Sequence, residues 1–247
     1  MYPNWLQNQV IEPNIFSNQF LKIGFSQNGE DDFIRGFFWE KILAKEAGVY
    51  VDIGCYHESL YSNTKLLSLV GWNGVAVDAN PDTSPLWLSQ RPNDTFLNYA
   101  VKKSSEDIKS IELYRFQDGA INTIDSKVAR DWQQKGFKLI DKINVPSLSI
   151  SQLGFKVAQQ CVMPPDFVNI DIEFVDYLDD LPEFLDILQY PSLLCLEWIT
   201  QQMSFNNYKE SKEYLVLSSQ GYEIIGFIGG NIFAQNLRSL YNKATIF

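Results

Sequence analysis

The sequence predicts an α/β chain built on one mixed, mostly parallel sheet, and three observations carry that prediction. Short runs of β-branched and aromatic residues alternate with stretches of helical period along most of the 247 residues. Two successive runs end in turn chemistry: Val49-Tyr50-Val51-Asp52-Ile53-Gly54 and, roughly 20 residues on, Val75-Ala76-Val77-Asp78. The chain then closes on Tyr222–Ile228 and Asn231–Ala234, joined at Gly229-Gly230, which reads as an antiparallel hairpin.

Taken in order, residues 1–24 are rich in Asn, Gln and Pro and read as an extended N-terminal arm, with 25–247 as one domain. A helix follows Phe25-Ser26-Gln27-Asn28-Gly29-Glu30-Asp31-Asp32, its acids in the first turn where the helix dipole favours them. The strand at Val49 ends at Gly54, whose freedom lets the backbone approach a ligand. Ser62-Asn63-Thr64 then opens a helix over Lys65–Val70, whose free N–H groups attract anionic atoms. Gly71-Trp72-Asn73-Gly74 breaks that helix, and the next strand ends in Asp78, where doubly wound folds place a carboxylate on a ribose. Gly54 and Asp78 side by side describe a nucleoside-binding crevice; the plainer alternative is that Asp78 only caps the next helix.

After the turn at Asn80-Pro81 come a short helix over Pro85–Gln90, a third strand over Phe96–Val101 and a further strand over Ile111–Phe116. Asp118–Asp125 is a loop opening a polar helix to Lys135, Val145–Leu148 is extended, and a helix starts at Ser149. Phe167-Val168-Asn169-Ile170-Asp171-Ile172-Glu173 is a strand ending in acids, Pro182 interrupts a helix over Val175–Leu188, and Ser192–Trp198 is a parallel strand covered on both faces. A helix over Tyr208–Ser218 precedes the hairpin.

The net charge of −10, spread along the chain, argues against general affinity for nucleic acid or an anionic membrane surface. Cys55, Cys161 and Cys195 lack CxxC spacing and read as reduced thiols. No basic-then-apolar leader and no bilayer-length apolar run is present, so a cytoplasmic protein is the expectation.

Read together, Ser26-Gln27-Asn28-Gly29-Glu30-Asp31, Val51-Asp52-Ile53-Gly54, Ser62-Asn63-Thr64, Gly71-Trp72-Asn73-Gly74-Val75, Asn80-Pro81, Asn98-Tyr99-Ala100-Val101, Asn122-Thr123-Ile124-Asp125, Phe167–Glu173 and Leu194-Cys195-Leu196-Glu197 resemble, in order, the FkbM family of S-adenosylmethionine-dependent O-methyltransferases. The resemblance covers roughly residues 25 to 235. It implies a Rossmann-like seven-stranded methyltransferase sheet whose last hairpin supplies the only antiparallel strand. It also implies S-adenosylmethionine as methyl donor and a hydroxyl acceptor on a sugar, glycan or glycosylated small molecule. On the matching motifs it implies a cofactor site formed by Gln27, Glu30, Asp52, Gly54, Cys55, Tyr56, Asn63, Thr64, Asp78, Ala79, Asn80, Asn98 and Ala100. Cys55, Glu58 and Phe174 depart from the family's usual Ala, Pro or Gly, and Gly.

Methyl transfer from a sulfonium is an in-line displacement that needs alignment and a base for the hydroxyl proton. His57, the only histidine, follows Gly54 in the loop; Asp171 and Glu173 stand at a strand's carboxyl end, on the ligand-binding rim, with Glu197 on the next strand. Each has a structural alternative: a surface histidine, or a carboxylate held by backbone amides. Mg²⁺ on these carboxylates is conceivable but not favoured, because no ligand spacing is diagnostic. A nucleotide-sugar or NAD-binding protein is disfavoured because Asp52-Ile53-Gly54-Cys55-Tyr56-His57 lacks G-x-G-x-x-G. A catalytically silent binding or scaffold module of the same fold is the non-enzymatic alternative.

Overall fold

The structure, a computed structural model, describes residues 23–172, 176–198 and 208–238. Its centre is a seven-stranded sheet in which β1 (Val49–Ile53), β2 (Asn73–Asp78), β3 (Thr95–Asn98), β7 (Phe167–Ile170), β8 (Leu193–Glu197), β9 (Tyr222–Ile228) and β10 (Asn231–Asn236) lie in the order β3-β2-β1-β7-β8-β10-β9. Every pairing from β3 across to β8 is parallel; β10 runs antiparallel to both β8 and β9. The terminal hairpin therefore supplies the one reversed strand, as expected. Between β1 and β7 the order reverses direction, the place where such sheets open a crevice at their carboxyl ends.

The central strands are covered on both faces, which explains their unbroken apolar runs. Val51, Ile53, Val168, Ile170, Leu194 and Leu196 pack on one side with Ile150, Leu153 and Val157 of α6 (Ile150–Gln160) and Phe184 and Leu185 of α7 (Leu181–Ile187). On the other side Tyr50, Phe167, Leu193, Cys195 and Phe233 meet Ile34 of α1 (Glu30–Phe37), Phe38, which leads into α2 (Trp39–Leu43), Leu67 of α3 (Lys65–Leu69), and Trp72. Local chemistry sets the helix starts. Ser149 and Gln152 form a reciprocal capping box on α6, and Pro182 stands in the first turn of α7, so that segment restarts as a helix after a short 3₁₀ turn over Asp176–Asp179.

One expectation needs correction. Phe96–Val101 is not a single strand: β3 stops at Asn98, and Ala100–Lys102 forms β4 in a second sheet of order β4-β6-β5. Asn98 causes the break, because its side chain donates to the carbonyls of Asp78 and Ala79 at 2.9 and 2.8 Å and holds the chain at the carboxyl end of β2. The second sheet is built from β5 (Ser110–Phe116) antiparallel to the long β6 (Leu139–Ser149), with β4 parallel to β6. The loop from Asp118 to Asp125 leads from it into α5 (Ser126–Gln134), after the short helix α4 (Ser84–Gln90) and before the closing α8 (Lys212–Ser219). Among the described residues no helix is long and apolar enough to cross a membrane.

Candidate active site

The site begins with side-chain alternation. On a strand, residues two apart share a face. Tyr50 and Asp52 of β1, Phe167 and Asn169 of β7, and Leu193, Cys195 and Glu197 of β8 therefore stand on one face, with Asp52, Asn169 and Cys195 in one row across the sheet. The row is polar and nearly closed to solvent: Asp52 is 2% exposed and Asn169 is 3% exposed. Buried polar groups must be paired, and here they pair with each other. Asn169 donates to one Asp52 oxygen at 2.9 Å, and the Thr64 hydroxyl donates to the other at 2.6 Å. The Asn169 oxygen accepts from Asn63 at 3.0 Å. Burial raises the pKa of Asp52, against the opposing pull of Thr64, Arg91 and Asn169.

Just past this row the chain turns at Gly54. Its φ of +80° lies in the left-handed region, and a Cβ there would overlap the Asp171 carbonyl oxygen. Gly54 and Cys55 both donate to the Val77 carbonyl, at 2.9 and 3.1 Å, while Asp171 donates to Ile53 at 2.9 Å. The ends of β1, β2 and β7 are thus sewn together. Tyr56 follows with φ +42°, and its N–H donates to Asp78 at 2.8 Å; the Asn80 N–H reaches the other Asp78 oxygen at 2.7 Å. Asp78 is pushed up to about 6, first by burial and against those two amide bonds.

These strand ends, with Gln27, Asn28, Glu30, Tyr61–Asn63, Tyr99–Val101, Gly119-Ala120, Asn122–Asp125 and Gly230-Asn231, enclose a cleft of about 310 Å³, within the range of small-molecule sites. Six carboxylate side chains line it, those of Glu30, Asp52, Asp78, Asp125, Asp171 and Glu197; no described residue in the lining is Lys, Arg or His. Glu30 is buried, yet amide bonds from its own backbone and from Asn28 outweigh that burial and lower its pKa. It also accepts from Asn231 at 3.2 Å, tying the hairpin to the start of α1. Asp171 opens onto the cleft but is enclosed by protein on its other sides. That enclosure, followed by the Glu197 carboxylate, raises its pKa well above the carboxylate range.

The cleft brings together most of the residues named from the sequence: Gln27, Glu30, Asp52, Gly54, Cys55, Tyr56, Asn63, Asp78, Ala79, Ala100 and Asp171. It does not bring in Thr64, Asn80 or Asn98, whose side chains hold Asp52, the turn after Asp78 and the end of β2 respectively. His57 also stays outside the lining. Its Nδ1 accepts from the Ser59 and Leu60 amides at 3.2 and 3.1 Å and lies 2.5 Å from a Glu58 oxygen, so the ring is committed to its own loop. Glu173 and Phe174 lie outside the described residues. Among those described, no group of three or more His, Cys, Asp or Glu side chains is placed to hold a metal ion.

Three parts of the site went unread in the sequence. Asn169 had a signal, a polar residue inside an apolar strand and two positions before Asp171. The wall from Gly119 to Asp125 is the loop after β5 of the second sheet; the motif Asn122–Asp125 marks the stretch without placing it at the site. Arg91, 4% exposed and bonded to Ser62 and Thr64 at 2.8 Å each, looks in sequence like an ordinary helix-end cation.

No family model matches the chain, and no curated protein matches it. Among solved structures it is similar to a TehB-like SAM-dependent methyltransferase from Corynebacterium glutamicum ATCC 13032 Kitasato, at 11% identity over 84% of this chain and 85% of that one, with a TM-score of 0.40. It is similar to monomeric WbdD at 10% identity over 85% of this chain, with a TM-score of 0.44, and spans 41% of that protein's length. It is also similar to the Methanococcus jannaschii fibrillarin pre-rRNA processing protein, at 8% identity over 92% of this chain and 85% of that one, with a TM-score of 0.43. Values this low leave fold and function to rest on the chain's own residues.

Proposed function

We propose that the chain is an S-adenosylmethionine-dependent O-methyltransferase that acts on a hydroxyl of a sugar, glycan or glycosylated small molecule, in line with its resemblance to the FkbM family. One observation carries the reading: the cleft at the carboxyl ends of β1, β2 and β7 is lined by carboxylates and, among the described residues, by no basic side chain. Such a lining suits a ligand with sulfonium and ammonium charges. It suits poorly the pyrophosphate of NAD or of a nucleotide sugar, which calls for basic or clustered N–H donors.

The residues present fit that donor. Each Asp78 oxygen holds one amide and keeps a second lone pair for a ribose hydroxyl. Asn231 lines the cleft with its side-chain amide donating to Glu30 at 3.2 Å, which holds that carboxylate where an ammonium can meet it. Bound there, S-adenosylmethionine supplies a methyl carbon made electrophilic by its positive sulfur. Asp171 would accept the proton that the acceptor hydroxyl gives up when it is methylated. Its raised pKa strengthens the carboxylate as a proton acceptor only where it is ionised, so transfer through Asp171 should speed up as pH rises. Glu197, beside it, holds the acceptor oxygen in line. Tyr61, 47% exposed and stacked on Tyr56 at 6.4 Å, offers a ring face for a sugar at the mouth of the cleft.

Incubation with donor labelled at the methyl carbon and a panel of neutral oligosaccharides tests the assignment. A labelled methyl on a sugar oxygen supports it. A label found on nitrogen, or no transfer to any member of the panel, contradicts it.

A further inference from the structure

We infer that Arg91, outside the cleft, is a positioning residue for the amino-acid half of the methyl donor; this rests on the donor reading above. The guanidinium follows α4 and is buried behind the cleft wall. One nitrogen donates to Thr64 Oγ1 at 2.8 Å, the other to Ser62 Oγ at 2.8 Å. The same group lies 3.5 Å from the Tyr50 hydroxyl and 3.5 Å from Asp94, and stacks over the Trp87 ring with 4.2 Å to its centroid. Asp94 is itself fixed by the Tyr50 hydroxyl at 2.6 Å and the Gly74 amide at 3.0 Å.

The two hydroxyls that Arg91 holds belong to the segment that builds one wall of the cleft. Thr64 passes the contact to Asp52 at 2.6 Å, Asp52 to Asn169 at 2.9 Å, and Asn169 to Asn63 at 3.0 Å. Ser62, Asn63, Asp52 and Asn169 all line the cleft; Arg91 and Thr64 do not. A planar fork on two hydroxyls fixes both in one orientation, which a point charge on a flexible stem does not. Arg91 also favours the ionised form of Asp52, whose other titratable neighbours among the described residues are acidic: Asp78, Asp171, the Tyr50 phenol and the Cys55 and Cys195 thiols. Asp52 and Asn169, where the relay ends, pair across β1 and β7, whereas Asp78 closes β2 on the other side of β1. With the ribose at Asp78, the wall is left to the ammonium-bearing end of the donor.

The two halves of the ligand therefore respond differently to Arg91. The test is calorimetric titration of Arg91→Met, Arg91→Lys and Thr64→Val with S-adenosylhomocysteine and with 5′-methylthioadenosine, which lacks the amino-acid end. Arg91→Met should weaken S-adenosylhomocysteine by about tenfold and 5′-methylthioadenosine by less than about twofold, with Arg91→Lys recovering part of the loss. Thr64→Val cuts the relay without leaving Asp94 unpaired, and should show the same selective loss even if the Arg91 variants do not fold. Equal loss of both ligands, or none, would assign Arg91 to stability alone and overturn the inference. Failure of the wild-type protein to bind either ligand would instead overturn the donor reading.

Discussion

Gly54 and Asp171 meet backbone to backbone: a Cβ on Gly54 would overlap the Asp171 carbonyl oxygen, and Gly54 holds a φ of +80° that L side chains rarely adopt. The position thus bears both a left-handed conformation, worth about 1–2 kcal/mol against other residues, and a close approach that fixes β1 against β7. Gly54→Ala should cost about 3 kcal/mol or more, lowering the melting temperature by roughly 6–12 °C for a chain of this size. A variant melting within about 2 °C of wild type would show that the strand ends can part freely.

In the proposed donor site Asp78 would link ligand binding to pH. Its pKa is raised to about 6, and ribose hydroxyls would donate to the ionised form. Affinity for S-adenosylhomocysteine should therefore be flat above pH 7 and fall as pH drops below 6, with a proton released on binding in that range. Asp78→Ala should weaken binding about tenfold or more, since hydrogen bonds to a charged group contribute roughly 1.5–3 kcal/mol each, and should erase the pH step. The same shift affects the free protein in the opposite sense. The folded state holds a proton that the unfolded chain gives up near pH 4, so this group's contribution to stability declines as pH rises from about 4 to about 6. Calorimetry and thermal melts across pH 4–8 check both slopes.

The proton acceptor separates Asp171 from His57. Asp171 lines the cleft beside Glu197, whereas His57 is turned into its own loop. Asp171→Asn should lower the single-turnover rate by about a hundredfold or more while leaving cofactor affinity within about threefold. His57→Ala should lose less than about threefold. A large loss in His57→Ala with unchanged cofactor affinity would move the base to the loop.

If Asp171 takes the proton directly, as proposed, transfer should survive EDTA. Complete loss in EDTA, restored by added Mg²⁺, would assign the Asp171–Glu197 pair to holding a cation that orients the acceptor oxygen.

Local pattern made the strand ends legible. Gly54, Asp78 and Asp171 each terminate an apolar run, and period-2 alternation turns such termini into one rim once the strands are parallel. The break at Tyr99 was not legible, because Phe96–Val101 is continuously apolar enough for one strand and only the long-range bonds of Asn98 to the end of β2 divide it. Thr64 and Asn98 are expected as ligand contacts because they fall in motifs that resemble the FkbM family. In the fold those same groups are spent on Asp52 and on backbone carbonyls. The place of Arg91, and of the wall that carries the Asn122–Asp125 motif, depends on which distant elements meet, and spacing along the chain carries no record of that.

Calorimetric titration of the wild-type protein with S-adenosylhomocysteine, beside NAD and a nucleotide sugar at the same concentrations, bears most directly on the carboxylate-lined cleft. The expected result is saturable binding of S-adenosylhomocysteine at one site per chain, lost on Asp78→Ala, with no heat from either pyrophosphate ligand. Binding of NAD or the nucleotide sugar, with no response to S-adenosylhomocysteine, would contradict the assignment.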